Sequence, residues 1–172
     1  YHSGGGLSSS GLTGKLFGRP VNARFKAGED GVLELSGSGR IAAADLRGWL
    51  DQPLLDFASG DAAFRASLRL GHPLELRVDS DLKGIALELP PPYRKAADER
   101  LPLALRMPQA DGERQLALTL GEWADLDLRW SRQQLHSGLV RLGRAGSGEQ
   151  LPGRLVITGE VPPIDLGEWR AV

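Results

Sequence analysis

The sequence predicts a mainly β protein built as a repetitive antiparallel sheet, and three observations carry that reading. Apolar and polar residues alternate along most of the chain, turn-forming clusters separate the alternating runs, and a short strand-to-helix signature occurs twice. A period of two puts one set of side chains on each side of a strand, so the sheet has one apolar face and one polar face.

Taken in order, residues 1–17 are a Gly/Ser-rich lead-in with a first strand, and the β segment proper runs over 18–172. Gly28-Glu29-Asp30-Gly31 is a turn, after which Leu33 and Leu35 begin the alternation. Ala42 to Leu50 is an alanine-rich short helix with Asp45 as its cap, and Pro53 closes it. The longest run follows, with Ala62, Phe64, Ala66, Leu68 and Leu70 separated by Ala63, Arg65, Ser67 and Arg69. Across the turn Gly71-His72-Pro73 the pattern resumes as Leu74, Leu76, Val78 and then Ile85, Leu87, Leu89. Leu101, Leu103, Leu105 and Met107 form the next strand, and Ala110-Asp111-Gly112-Glu113 turns the chain into Leu116, Leu118 and Leu120. Leu126, Leu128 and Trp130 alternate again, as do Leu155 and Ile157 near the end. A second short helix is expected near 165–170, matching the first near 43–50. Gly39-x-Ile41-x-x-x-Asp45-Leu46-x-x-Trp49 aligns with Gly159-x-Val161-x-x-x-Asp165-Leu166-x-x-Trp169 at an offset of 120 residues. The chain therefore holds one repeat and the start of the next, and its opening at Tyr1 predicts a segment of a longer protein.

Composition narrows the function. With 21 basic and 22 acidic residues the formal charge is −1, which excludes the basic surface that nucleic acid requires. Without cysteine there is no disulfide, thiol nucleophile or Cys-ligated zinc. No apolar run approaches the ~18 residues of a membrane span. The 23 glycines, well above the usual ~7% of a chain, imply many turns.

Motifs with chemical content are sparse. Gly37-Ser38-Gly39-Arg40-Ile41-Ala42 fits a dinucleotide-loop pattern, but Pro53 and antiparallel strands follow it, and glycines that let a sheet bend explain it better. His2, His72 and His136 lack metal-ligand spacing and read as turn histidines. Asp79 with Asp81 and Asp125 with Asp127 place paired carboxylates on one side of a strand, with no third ligand, and read as solvated edges. Gly146-Ser147-Gly148 has no base at fixed spacing. Trp49 and Trp169 are expected to pack the two helices onto the sheet, and Trp123 and Trp130 to pack within it. No catalytic residue, metal or cofactor is assigned, and the chain is read as a non-enzyme.

The segment Asp79 to Leu103 reads as a strand, a glycine turn, a strand, a polyproline stop and a basic loop. Its pattern S-x-L-x-G-x-x-L-x-L-P-x-P-x-x-K-x-A, carried by Ser80, Leu82, Gly84, Leu87, Leu89, Pro90, Pro92, Lys95 and Ala97, resembles the AsmA-like superfamily of Gram-negative envelope proteins, most closely its YhdP branch. The Asp45-Leu46-x-x-Trp49-Leu50 helix and the Gly60-x-Ala62-x-Phe64 strand resemble the same family, so that the likeness covers roughly 18–170. The resemblance implies a taco-like β-sheet with an apolar groove, in a periplasmic segment of an inner-membrane-anchored protein. It implies phospholipid as the partner, carried between inner and outer membranes that other parts of the full-length protein reach; protein partners are unknown. The groove lining is then Phe64, Leu68, Leu70, Leu74, Leu76, Val78, Ile85, Leu87, Leu89, Leu103, Leu105, Leu116, Leu118 and Leu120. The same alternation also suits a closed β-sandwich acting as a binding or envelope-assembly module.

Overall fold

The computed structural model describes residues 8–28, 31–50, 52–132, 134–143, 148–163 and 165–169. Strands make up 60% of it. In chain order they are β1 (Ser8–Leu16), β2 (Arg19–Ala27), β3 (Leu33–Ala42), β4 (Ala58–Leu70), β5 (Leu74–Ser80), β6 (Ile85–Leu87), β7 (Leu103–Ala110), β8 (Glu113–Leu120), β9 (Ala124–Ser131), β10 (Gln134–Gly143) and β11 (Leu155–Glu160). Helix α1 (Ala43–Leu50) and a 3-10 turn (Pro53–Phe57) link β3 to β4, and helix α2 (Leu166–Trp169) follows β11.

Ten strands lie side by side in the order β1-β2-β3-β4-β5-β7-β8-β9-β10-β11, and β6 branches off β4. This is a single open sheet, not the closed sandwich that the sequence also allowed: among the described residues β1 and β11 are free edges and no second sheet packs on it. The accessible surface shows the consequence. A compact protein of 18.5 kDa exposes about 8,200 Å², whereas this chain exposes 12040 Å².

Two departures from a simple meander have local causes. All neighbours are antiparallel except β10 and β11, which pair in parallel from Gly138↔Leu155 to Gly143↔Glu160. A parallel pair needs a crossover, and Gly148, in its described part, lies over the polar side of the sheet. Gly148 lies so close to Leu139 and Thr158 there that a Cβ would sit 3.1 and 2.9 Å from their side-chain atoms. Leu139 is consequently the largest side chain that is fully buried, at 1% exposure.

The second departure is the excursion 81–102. Ile85, Leu87 and Leu89 alternate as a meander strand would, yet β5 pairs directly with β7 and β6 pairs only with Ala58, Ser59 and Gly60 at the start of β4. Gly60 (φ +88°) and Gly84 (φ +103°) face one another across this junction, and a Cβ on either would collide with a carbonyl of the other strand. Ala43, Ala58, Ala62 and Ile85, with Leu82 and Leu87 against them, form a small core that caps one end of the sheet. Ser80, Leu82, Gly84, Leu87, Lys95 and Ala97 of the Ser80–Ala97 pattern serve this cap. Ser80 Oγ donates to Ala63 O (2.7 Å) and accepts from Leu82 N (3.0 Å). Gly84 N donates to Ala97 O (2.6 Å), and Leu87 and Lys95 exchange both backbone bonds. Lys95 is only 3% exposed, and its Nζ donates to the carbonyls of Leu82 (2.9 Å), Ile85 (2.6 Å) and Ala96 (3.1 Å). Burial holds its ammonium below the usual lysine range, an effect that Glu99, Asp81 and Asp98 oppose.

The two repeated helices differ at their starts. Asp45, expected to cap α1, lies inside its first turn, where its carboxylate accepts from Ala42 N at 3.3 Å. Asp165 does cap α2, accepting from Gly167 N at 2.7 Å. Pro162 and Pro163 stand where Ala42 and Ala43 stand in the first copy, and Pro162 has no N–H to give Asp165 the bond that Asp45 takes from Ala42 N. Arg47 on α1 holds the 3-10 turn by donating to Leu55 O (2.8 Å) and Ala58 O (3.0 Å). Trp49 does not pack α1 onto the sheet: it is 68% exposed and its ring meets Phe17, with centroids 6.2 Å apart. Small residues, Ala42 and Ala43, take the inward place instead. Trp169 lies edge-on to Tyr93 (6.0 Å), as does Trp123 (5.5 Å).

Replacing Lys95 by Met removes three hydrogen bonds, although Leu82 O and Ala96 O keep the backbone donors Ile85 N and Glu99 N, and should cost about 2–4 kcal/mol. The urea midpoint of unfolding measures it, and an unchanged midpoint would show that the cap does not depend on the ammonium.

Candidate functional site

Residues directly opposite one another in a sheet share a face, so the strand registers decide which apolar side chains meet. One row crosses all ten strands: Leu12, Ala23, Gly37, Ala66, Val78, Leu105, Leu118, Leu126, Val140 and Ile157. No member is polar. With strands ~4.8 Å apart, the row is about 43 Å long. On one side of it run Phe25-Leu35-Leu68-Leu76-Met107 and Leu116-Leu128-Gly138-Leu155. On the other run Val21-Gly39-Phe64 and Leu103-Leu120-Ala124-Leu142. Val21 and Phe64 lean over Gly39 so closely that a Cβ there would lie 2.8 and 3.3 Å from them. The glycines of the dinucleotide-like pattern thus sit in mid-strand, as floor beneath apolar side chains.

Of the predicted lining, Phe64, Leu68, Leu70, Leu74, Leu76, Val78, Leu103, Leu105, Leu116, Leu118 and Leu120 share this face. Ile85, Leu87 and Leu89 do not, because they belong to the end cap, where Ile85 is 6% and Leu89 8% exposed. The structure adds β1–β3 and β9–β11 to the face. Leu33, Leu35, Leu126, Leu128, Trp130, Leu155 and Ile157 alternate visibly in the sequence, whereas the glycines of β3 and β10 interrupt the apolar pattern and hide the continuity. Most of these side chains are half-buried by their neighbours in the same sheet, and among the described residues no layer covers them. Leu35, Leu70, Leu155 and Ile157 stand more exposed still.

The reverse face is polar and paired. Lys26, Glu34, Arg69 and Glu75 form one row of alternating charge. Glu75 accepts from Arg77 (3.0 Å) and Arg106 (2.9 Å), and these two guanidinium groups hold its carboxyl below the ordinary glutamate value of 4.5. Asp61 is held down likewise by its bond to Arg40. The other acidic pairs do not converge. Asp125 accepts from Thr119 (2.7 Å) and Asp127 from Gln115 (3.1 Å), while Asp81 accepts from Lys83 N (3.1 Å) away from Asp79. His72 meets Asp111 (3.2 Å) at an exposed turn, whereas His136, read as a turn residue, lies in β10 where its register with β9 shifts, and meets Ser131 (2.6 Å). Among the described residues no three His, Asp or Glu side chains cluster as a metal site. His2 and Ser147 lie outside the described residues.

No helix among the described residues is long and apolar enough to cross a membrane. In comparison with known proteins, the family model described as YhdP protein matches residues 2–172. No curated protein and no solved structure matches the chain.

Glu75 gives the polar face a pH dependence of definite sign. Its folded pKa lies below the unfolded one, so its contribution is complete above pH 4.5 and is lost as pH falls through the lowered value. Urea unfolding across the acid range should show wild type and Glu75→Gln converging below pH 4.5. A constant gap between them would contradict this.

Proposed function

This chain belongs to the YhdP family, and we propose that it is a non-catalytic segment of a periplasmic, inner-membrane-anchored protein that shields phospholipid acyl chains on their way between the inner and outer membranes. The observation that carries the reading is the unbroken apolar row from Leu12 to Ile157, left uncovered in a single-layer sheet. Soluble proteins bury such a face against a second layer, and an exposed apolar patch of this extent marks a binding surface.

The energetics favour an acyl-chain ligand. Carrying a phospholipid through water exposes ~30 methylenes at ~0.8 kcal/mol each, a barrier of roughly 24 kcal/mol. A continuous apolar face lowers that barrier all along the path, because a chain can shift from one strand to the next without crossing a polar side chain. The face also has the depth required. From Phe64 to Leu70 along β4 is about 20 Å at ~3.4 Å per residue, against ~15 Å for the hydrocarbon of one leaflet. Neither covalent chemistry nor a cofactor is needed for such a role.

A photo-crosslinking side chain at Leu118 should capture phospholipid in cells about tenfold more than one at Thr119, whose hydroxyl is on the reverse face bonded to Asp125. Leu118→Arg should leave the protein folded, since the long side chain can lie along an uncovered face with its head in water, and should block lipid passage. Equal capture at the two positions, or unfolding by Leu118→Arg, would overturn the reading.

A further inference from the structure

Among the described residues of the ten-strand path, the apolar face carries two charged side chains, one at each end of the strands. Arg19, opposite Leu16, is neutralised by Asp45 at 3.0 Å. Arg114 is different. It stands on β8 directly opposite Gln109 on β7 and Trp130 on β9, which places all three on the apolar face at the end away from the cap. Arg114 is exposed and makes no hydrogen bond or ion pair with any described residue. Asp111, in the turn between β7 and β8, pairs with His72, and Glu113 points to the reverse face.

We propose that Arg114, Gln109 and Trp130 form a binding site for the phosphate group of an amphiphile whose tail lies on the apolar face, a proposal that rests on the acyl-chain reading above. Three arguments support it. An unpaired guanidinium beside an apolar surface is best satisfied by an anion whose own body covers that surface. The donors are many: five N–H on Arg114, two on Gln109 and one on Trp130, a set that suits the several oxygens of a phosphoester better than the two of a carboxylate. The reach is also right. Leu116, Leu118 and Leu120 continue from Arg114 along β8 for about 20 Å, longer than the ~15 Å of one leaflet's hydrocarbon. Trp130 adds an aromatic ring with a polar edge, the residue type that favours such apolar–aqueous borders. The site would hold lipids with a defined polarity, phosphate at the hairpin rim and tails toward the cap.

The test measures binding of three probes to the chain by calorimetry, below their micelle concentrations: dodecyl phosphate, the neutral 1-O-dodecyl glycerol, and inorganic phosphate. Dodecyl phosphate should bind about tenfold more tightly than the glycerol ether, and inorganic phosphate alone should show no saturable binding. Arg114→Gln should abolish the preference while leaving the ether's affinity unchanged, and Arg114→Lys should keep part of it. Equal binding of the two amphiphiles by wild type, or an undiminished preference in Arg114→Gln, overturns the phosphate site while leaving the acyl-chain reading standing. Saturable binding of inorganic phosphate with the same strength as dodecyl phosphate overturns it as well, since the tail then contributes nothing. If neither amphiphile binds, the acyl-chain reading fails and the phosphate site fails with it.

Discussion

The architecture turns on one buried ammonium. Lys95 ties the carbonyls of Leu82, Ile85 and Ala96 to a single point, and so folds the 81–102 excursion back onto the start of β4 instead of letting it continue the meander. Because the excursion is withdrawn, β5 and β7 become neighbours and the apolar rows on either side of them join. A charge removed from water is tolerated only when its hydrogen bonds are met. Three carbonyls converging from one short loop meet that condition, and the carboxylates of Asp81, Asp98 and Glu99 lie in range to favour the charged form.

The sheet beyond the cap lacks the usual source of stability, burial between layers. It is held by backbone ladders between ten strands, by half-burial of each leucine against its own neighbours, and by paired charges on the reverse face. Glu75 between Arg77 and Arg106 is the clearest of these pairs, since it separates two arginines that stand directly opposite each other. Polar pairing on one side and apolar continuity on the other are complementary demands. The first hydrates one side of the single layer and neutralises its charges, while the second gives the other side a continuous apolar surface.

The internal repeat shows how one signature acquires different surroundings. Trp49 and Trp169 occupy matching positions, yet Trp169 is drawn onto Tyr93 beside the polyproline stretch, its indole donating to Pro91 O at 3.4 Å, whereas Trp49 meets Phe17 and is otherwise exposed. The helices differ with them: Asp45 lies within α1 and takes the N–H of Ala42, whereas Pro162 at the matching place has no N–H and Asp165 precedes α2 as its cap.

Strand content, the polarity of each face, the hairpin turns and both short helices were legible in the sequence, because period-two alternation and turn residues act over a few neighbouring positions. Most of the apolar face was legible for the same reason, from Phe64 through Leu120. Tertiary structure alone decided that Ile85, Leu87 and Leu89 belong to a cap: a strand's alternation does not name its partner, and the buried contacts of Lys95 join residues that the sequence only places in order. It also decided the parallel pairing of β11, which follows from a crossover above Leu139, and the openness of the sheet. An alternating strand presents the same pattern whether its apolar side meets a second layer or stays uncovered, so only the arrangement of all ten strands distinguishes the two.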